Sequence, residues 1–163
     1  KIVGCIGKID DWYDLEFIDK IATLNLDINF IFIGPIVRSI SNIRSNNMIF
    51  LGQKDYEDIP SYINSFDVCI IPYKDIERIK TVDMPLKLLD YLATGKPVIA
   101  KNINHIPKYN NLYRICNNIK DFNSALLDYL DNPNDYKDEK IKFAIENSWQ
   151  ERSNMLGDWI IKL

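Results

Sequence analysis

The chain has 163 residues, of which 47% are hydrophobic and 26% are charged, a composition typical of one globular domain. Its formal net charge of −3, with acidic and basic residues interspersed, argues against a basic surface for nucleic acid. No apolar run reaches the length of a membrane-spanning helix, and no signal-peptide pattern is present. The charge and the absence of a long apolar run argue against a nucleic-acid-binding or membrane-spanning chain and favour an ordinary globular domain.

Apolar runs rich in β-branched residues alternate with segments of helical hydrophobic spacing. The runs predict strands at Lys1–Ile6, Ile28–Ile33, Met48–Leu51, Val68–Pro72 and Pro97–Ala100, with a short edge strand at Leu112–Cys116. Helices are predicted at about Tyr13–Leu24, Tyr56–Phe66, between Pro85 and Gly95, and at Asp121–Leu130 with Asp121 as N-cap, followed by a helical tail over Asp135–Ser148 and Trp149–Leu163. Surface loops are predicted at Arg38–Asn47, Tyr73–Asp83 and Lys101–Asn111.

This alternation predicts an α/β fold with a doubly wound, Rossmann-like parallel sheet, because strands covered on both faces are apolar throughout. Such sheets bind ligands at the carboxyl ends of their strands. The turns at Gly7, Gly34 and Gly52 and the Thr81–Pro85 loop all follow predicted strands. We therefore expect them to meet at one edge of the sheet.

The stretch TVDMPLKLLDYLATGKPVIA, residues 81 to 100, is the centre of the predicted site. A helix that starts at this edge presents unpaired N–H groups and the positive end of its dipole, which favour an anion. The predicted inward face carries Leu88, Leu89, Leu92 and Ala93, and the predicted outer face carries Lys87, Asp90, Tyr91 and Thr94. Asp90 is placed to accept two hydroxyl protons from a ribose whose phosphates bind the helix terminus.

Four consecutive motifs, VGCIGKIDDWYDLEFI, INFIFIGPI, MIFLGQKDYEDIPSYINSFDVCIIPY and MPLKLLDYLATGKPVIA, resemble the C-terminal, donor-binding domain of GT-B glycosyltransferases. The likeness is to bacterial, glycosyl transferases group 1-like enzymes of cell-surface polysaccharide synthesis and runs from Ile2 to Trp159. It implies a GT-B C-terminal domain with a helical C-terminal tail, a single nucleotide-sugar-binding domain over residues 1–163. The N-terminal acceptor domain is then expected outside this sequence, which starts at Lys1 without methionine. In full-length relatives the closing helix, here Ser148-Trp149 and Arg152, packs back on that domain.

The resemblance also implies the donor contacts. The base is expected near Gly52-Gln53-Lys54 and Tyr56, the diphosphate at Met84, Pro85 and Leu86, and the ribose at Asp90. From the residues themselves, the turn at Gly7 lets backbone approach a phosphate, and Lys8 adds charge. Lys87 is open between a phosphate contact and an exposed solubilising residue. Candidates for stabilising the leaving diphosphate are Lys8, Lys80 and Lys87.

The sequence departs from the family's E-x7-E pattern at both acids. The second acid is the shorter Asp90, and the first position holds Val82, with Asp83 beside it as an expected helix cap. The sugar contact and the stereochemistry are therefore left unassigned. No Asp-x-Asp motif stands where a metal-dependent transferase needs one, so no metal and no cofactor are expected.

The cysteines and the single histidine are not expected to bind metal or to take part in redox chemistry. Cys5, Cys69 and Cys116 are expected to be buried free thiols, because their number is odd and two lie in apolar runs. The single histidine, His105, lies in a predicted loop and is interpreted as incidental.

The predicted function is donor binding in a glycosyltransferase that transfers a sugar from a UDP- or GDP-sugar to a cell-surface polysaccharide or glycolipid. Without its partner domain such a chain is expected to be nearly inactive. Two alternatives stay open: a nucleotide-sugar epimerase of the same architecture, and a non-catalytic nucleotide-binding or regulatory module, which Val82 favours. The expected location is the cytoplasm, with peripheral association at the inner face of the membrane as an open alternative for the full-length protein.

Overall fold

The computed structural model describes residues 1–82, 84–104, 111–133 and 136–161. Six parallel strands form one sheet in the order β3-β2-β1-β4-β5-β6. The strands are β1 Ile2–Ile6, β2 Asn29–Ile33, β3 Met48–Gly52, β4 Val68–Pro72, β5 Val98–Lys101 and β6 Arg114–Ile115. The helices are α1 Leu15–Leu24, α2 Ile59–Ser65, α3 Glu77–Lys80, α4 Leu86–Ala93, α5 Ile119–Asp131, α6 Lys137–Glu146 and α7 Trp149–Ile161, with a 3-10 turn at Tyr56–Asp58.

The helices cover both faces of this sheet, which confirms the predicted doubly wound α/β fold. The strand order reverses between β1 and β4, where parallel sheets of this type bind their ligands. β4 is buried along its whole length, as its continuous apolar run predicts. The short edge strand β6 is also confirmed within its predicted range.

Gly4 in the middle of β1 is explained by the side chain of Phe66. A Cβ atom on Gly4 would lie 2.0 Å from the Phe66 ring, so the ring packs directly on the strand backbone. Phe66 is 1% exposed and follows α2, whose end it fixes against the sheet. The weak strand propensity of glycine is therefore offset by the burial of an aromatic ring.

The structure differs from the predicted helices and loops in three places. α1 begins at Leu15 because the carboxylate of Asp14 accepts the backbone N–H of Phe17 at 3.2 Å and caps the helix. The single helix predicted over 56–66 is a 3-10 turn followed by α2. The predicted loop over 73–83 contains the single turn α3, which buries only Ile79 and so lacks helical periodicity in the sequence.

The predicted faces of α4 were wrong at two positions. Tyr91, predicted on the polar face, is fully buried, and its hydroxyl accepts the backbone N–H of Ile6 at 2.8 Å. Ala93, predicted inward, is exposed. The buried stripe is Leu88, Tyr91 and Leu92, which also has helical spacing, and the long phenol reaches the end of β1.

Asp121 was also wrong as the N-cap of α5. The cap is Asn118, whose side-chain oxygen accepts the backbone N–H of Asp121 at 2.9 Å. The Asn118 amide nitrogen then donates to the Asp121 carboxylate at 2.7 Å. Asp121 instead occupies the first turn, where a negative charge is favourable near the helix N-terminus.

Asn118→Ala is expected to lower the free energy of unfolding by about 1 kcal/mol, because one N–H of the first turn loses its acceptor. Urea denaturation measures this loss. Ser124→Ala, an exposed change on the same helix, serves as the control and should stay within about 0.5 kcal/mol of the parent. A larger loss for Asp121→Ala than for Asn118→Ala would contradict the assignment of the cap.

The helical tail is present as α6 and α7, and α7 leaves its apolar side uncovered by the rest of the described chain. The exposed fractions are 74% for Trp149, 67% for Met155 and 62% for Trp159. None of the helices in the described ranges is long and apolar enough to cross a membrane. All three cysteines are free and buried, as predicted. Asp83 and His105 lie outside the described residues.

Candidate functional site

A cleft with a volume of about 400 Å³ opens at the carboxyl edge of the sheet, where β1, β2 and β3 end. This volume lies within the range of small-molecule sites. The residues that line it are Ile6, Gly7, Ile33, Gly34, Pro35, Gln53, Lys54, Asp55, Tyr56, Ile59 and Asp90. The edge predicted from the glycine turns therefore carries a cleft of suitable size.

Bare backbone forms part of the cleft wall. Gly7 and Gly34 have φ values of 115° and 143°, which favour glycine. The Gly7 N–H donates to the carbonyl of Ile33 and the Gly34 N–H to that of Gly52, each at 2.8 Å. A Cβ atom on Gly34 would lie 2.1 Å from the carbonyl oxygen of Gly7, so the first two turns touch without side chains between them.

Five of the predicted donor-binding residues meet in this cleft: Gly7, Gln53, Lys54, Tyr56 and Asp90. They come from the ends of β1 and β3, from the 3-10 turn and from α4. Residues more than 80 positions apart in the sequence are thus brought around one cavity. Their contact with a ligand stays a prediction.

Asp90 and Tyr56 stand at the mouth of the cleft. Partial burial raises the pKa of the Asp90 carboxyl above its ordinary value, and the positive charge of Lys87 opposes this rise. Tyr56 is 87% exposed, so its ring adds little to the stability of the fold. The same two residues border neighbouring cavities of about 370 and 200 Å³. Both side chains are therefore accessible to a ligand.

Two of the predicted leaving-group lysines lie outside the cleft lining and form ion pairs. The Lys8 ammonium lies 2.8 Å from the carboxylate of Asp10 and 5.4 Å from the ring centroid of Trp12. The Lys80 ammonium lies 2.7 Å from Glu77 and 3.5 Å from Asp75. Their role toward a diphosphate stays a prediction, and each must share its charge with an acid of this chain.

Lys87, which the sequence places on the outer face of α4, reaches inward. Its ammonium donates to the carbonyl of Ile6 at 2.7 Å and to the hydroxyl of Tyr13. It also lies 4.7 Å from the ring centroid of Tyr13 and 5.5 Å from that of Tyr73. Burial lowers the pKa of this ammonium, although the charge of Asp90 opposes the shift. Of the two alternatives left open for Lys87, the exposed solubilising lysine does not fit this partly buried position, and the phosphate contact stays a prediction.

The predicted diphosphate subsite at Met84, Pro85 and Leu86 is the N-terminus of α4. Pro85 is the N-cap residue and not the first helical residue, and it provides no side-chain acceptor for the first-turn N–H groups. Leu86 is 59% exposed and lines the neighbouring 370 Å³ cavity together with Tyr56 and Asp90. The helix terminus thus stays open beside the cleft.

Sequence reasoning missed the apolar wall of the cleft. Ile6, Ile33, Pro35 and Ile59 line it, together with the exposed carboxylate of Asp55. The available signal was position, because each of the two strand-final isoleucines directly precedes a turn glycine. Arg78 was missed as well: its guanidinium lies 4.8 Å from the Trp12 ring, beside Lys8.

Within the described ranges, no three histidine, cysteine, aspartate or glutamate side chains come together as metal ligands. Metal-independent chemistry stays a prediction.

A comparison with protein families matches residues 1–132 to the family described as glycosyl transferases group 1. The chain belongs to this family. It is 32% identical over 117 residues to the putative teichuronic acid biosynthesis glycosyltransferase TuaH of Bacillus subtilis (strain 168). That match covers 69% of this chain and 29% of the relative, so the chain spans under a third of the length of that protein.

Solved structures show the same fold. Sucrose-phosphate synthase from Thermosynechococcus elongatus superposes with a TM-score of 0.77 at 14% identity, over 99% of this chain and 45% of the other. HepE of Anabaena, solved with UDP and glucose, has a TM-score of 0.65 at 15% identity, over 96% and 48%. The catalytic domain of cholesterol-α-glucosyltransferase from Helicobacter pylori has a TM-score of 0.64 at 13% identity, over 89% and 98%. This group 1 glycosyltransferase chain therefore has the predicted GT-B domain fold.

Proposed function

We propose that this chain is the donor-binding domain of a glycosyltransferase and that its cleft binds the nucleoside diphosphate of a UDP- or GDP-sugar. The observation that carries the proposal is the convergence of Gly7, Gln53, Tyr56 and Asp90 on one cleft at the switch point of the sheet. The UDP and glucose in the HepE structure support the ligand class.

In this proposal each part of the donor binds a different wall of the cleft. The base lies between the apolar wall and the side chains of Gln53 and Tyr56, since aromatic bases need apolar or stacking surfaces. The Asp90 carboxylate accepts the two ribose hydroxyl protons. The diphosphate lies between the turn at Gly7 and the open N-terminus of α4.

In the proposed reaction the bond between the anomeric carbon and the β-phosphate oxygen breaks, and a bond to an acceptor oxygen forms. The leaving diphosphate gains negative charge, which positive groups held in place stabilise. Lys8 supplies one such charge, and the dipole of α4 supplies another. The acceptor hydroxyl, its base and the rest of the site belong to a second domain in this proposal.

That second domain is proposed to cover the apolar side of α7, where Trp149, Met155 and Trp159 are exposed. Large exposed apolar surfaces of this kind mark interfaces. A cell-surface polysaccharide or glycolipid acceptor is supported by the B. subtilis relative, whose name places it in teichuronic acid biosynthesis. A non-catalytic nucleotide-binding module is the second candidate, because Val82 stands where the family's first acid is expected.

The proposal is tested by a thermal-shift panel of UDP, GDP, dTDP and ADP and their sugars. A nucleotide present at 100 times its Kd adds about 2.7 kcal/mol to stability, which gives a clear rise in Tm. We expect a rise with UDP or GDP and not with ADP. No rise with any nucleotide would contradict donor binding by this chain, and hydrolysis or transfer by the full-length protein separates the transferase from the non-catalytic module.

Tyr56→Ala is expected to weaken binding of that nucleotide by about 1 kcal/mol, because the base loses a stacking surface. The Tm without ligand should stay unchanged, since the ring is 87% exposed. Tyr56→Phe keeps the ring and is the matched control, with affinity close to that of the parent. Equal losses in the two variants would assign the effect to the hydroxyl and contradict stacking.

A further inference from the structure

The Lys87 ammonium packs against the turn at Gly7, on the side of the turn that faces away from the cleft. A Cβ atom on Gly7 would lie 2.8 Å from the Lys87 ammonium and 3.2 Å from the Tyr13 hydroxyl. The ammonium also holds the Ile6 carbonyl, and Tyr91 of the same helix holds the Ile6 N–H. Both backbone polar groups at the end of β1 are therefore bound by side chains of α4.

The charge of Lys87 is stabilised there but not neutralised. None of the ion pairs among the described residues includes Lys87. Its direct contacts are a carbonyl, a hydroxyl and the faces of two tyrosine rings, which favour a cation without carrying negative charge, while the charge of Asp90 acts on it from beyond ion-pair distance. A mostly buried cation favours a nearby anion, and Gly7, against which the ammonium packs and which lines the cleft, has no side chain.

We infer that Lys87 is a positioning residue for the donor diphosphate and acts through the turn at Gly7, without touching the phosphates. The hydrogen bond from Lys87 to the Ile6 carbonyl holds the turn in place. The positive charge of Lys87 also attracts the diphosphate across the backbone of Gly7, which has no side chain. A phosphate oxygen in contact with Gly7 would lie within the Debye length of about 8 Å from an ammonium that packs against the same residue. The inference rests on the proposed function and adds to it the residue that fixes the phosphate subsite.

This role gives Gly7 a second reason to lack a side chain. Its φ of 115° favours glycine, and its missing Cβ leaves the space that the Lys87 ammonium and the Tyr13 hydroxyl occupy. The Lys87 ammonium can therefore contact one side of the turn, and a phosphate can contact the side that lines the cleft. A larger residue in place of Gly7 would displace the Lys87 ammonium, even if a phosphate could still reach the turn from the cleft.

The test compares binding of a nucleoside diphosphate and of its nucleoside by calorimetry, with UDP and uridine or with GDP and guanosine. Lys87→Met keeps the unbranched apolar stem of the side chain and removes the charge. Lys87→Gln removes the charge and keeps a donor for the Ile6 carbonyl. Lys120→Met, an exposed change of equal charge on α5, is the matched control. We expect the two Lys87 variants to lose about five- to tenfold in diphosphate affinity, with less than twofold change for the nucleoside.

Salt separates action through the turn from direct contact at the surface. At 0.5 M salt the Debye length lies between about 3 and 8 Å, so an exposed charge contact contributes little to affinity. The loss of affinity caused by removing a buried charge should persist at this salt concentration. A loss that disappears with salt, equal losses for nucleoside and diphosphate, or unchanged affinity would each overturn the inference. Failure of both variants to fold would do the same, because Lys87 would then determine the fold. Absence of diphosphate binding by the parent chain would instead contradict the proposed function.

Discussion

Gly34→Ala is expected to lower the free energy of unfolding by about 3 kcal/mol or more and to abolish nucleotide binding. The new Cβ atom would lie 2.1 Å from the Gly7 carbonyl oxygen, which is backbone and cannot rotate away. The φ of 143° adds strain of about 1–3 kcal/mol for any residue with a side chain. Relief requires the two turns to separate, which breaks the 2.8 Å bond from the Gly7 N–H to the Ile33 carbonyl.

Urea denaturation and calorimetric titration measure the two effects of this substitution. Gly157→Ala is the control, because no atom lies within 4 Å of its added Cβ and the position is inside α7. That variant should be as stable as the parent or more stable by up to about 1 kcal/mol, since alanine favours helix. A Gly34→Ala protein with parental stability and affinity would show that the turns can separate at no cost, contrary to the packing described here.

The fold was predictable because the strand runs of this chain are short, continuous and bounded by glycine or proline. Val68–Pro72 and Asn29–Ile33 identify buried parallel strands by composition alone. The convergence of Gly7, Gln53 and Asp90 followed from topology, because parallel strands place their carboxyl ends at one edge. These inferences needed no knowledge of side-chain packing.

The sequence predictions were wrong for side chains that fit both a buried and an exposed position. Tyr91 and Lys87 are amphipathic, with an apolar stem and a polar end, so polarity alone places them outside. In the structure, both reach the end of β1 because its last residue has an N–H and a carbonyl to satisfy. Asn118 was missed for a similar reason: a short polar side chain in a loop becomes a cap only once the helix start is known.

Asp90→Ala is expected to weaken nucleoside diphosphate binding by about 2–3 kcal/mol, because the ribose loses two hydrogen bonds to a charged acceptor. Asp90→Asn keeps the size of the side chain and one acceptor, so its loss should be smaller, about 1–2 kcal/mol. Calorimetry with the nucleotide identified by the thermal-shift panel measures both. An affinity that is unchanged in the alanine variant removes Asp90 from the site.

The stability of the same variants separates a binding role from a structural one. Because burial raises the pKa of Asp90 in the folded chain, the native state binds its proton more tightly than the unfolded chain does. The stabilising contribution of this group is present at low pH and is lost as the pH rises through the folded-state pKa. Because the carboxylate is also exposed to solvent, its cost to the free protein at pH 7 is small, so Asp90→Asn should unfold at a Tm no lower than that of the parent while it binds nucleotide less tightly. A lower Tm together with weaker binding would instead indicate that Asp90 supports the fold.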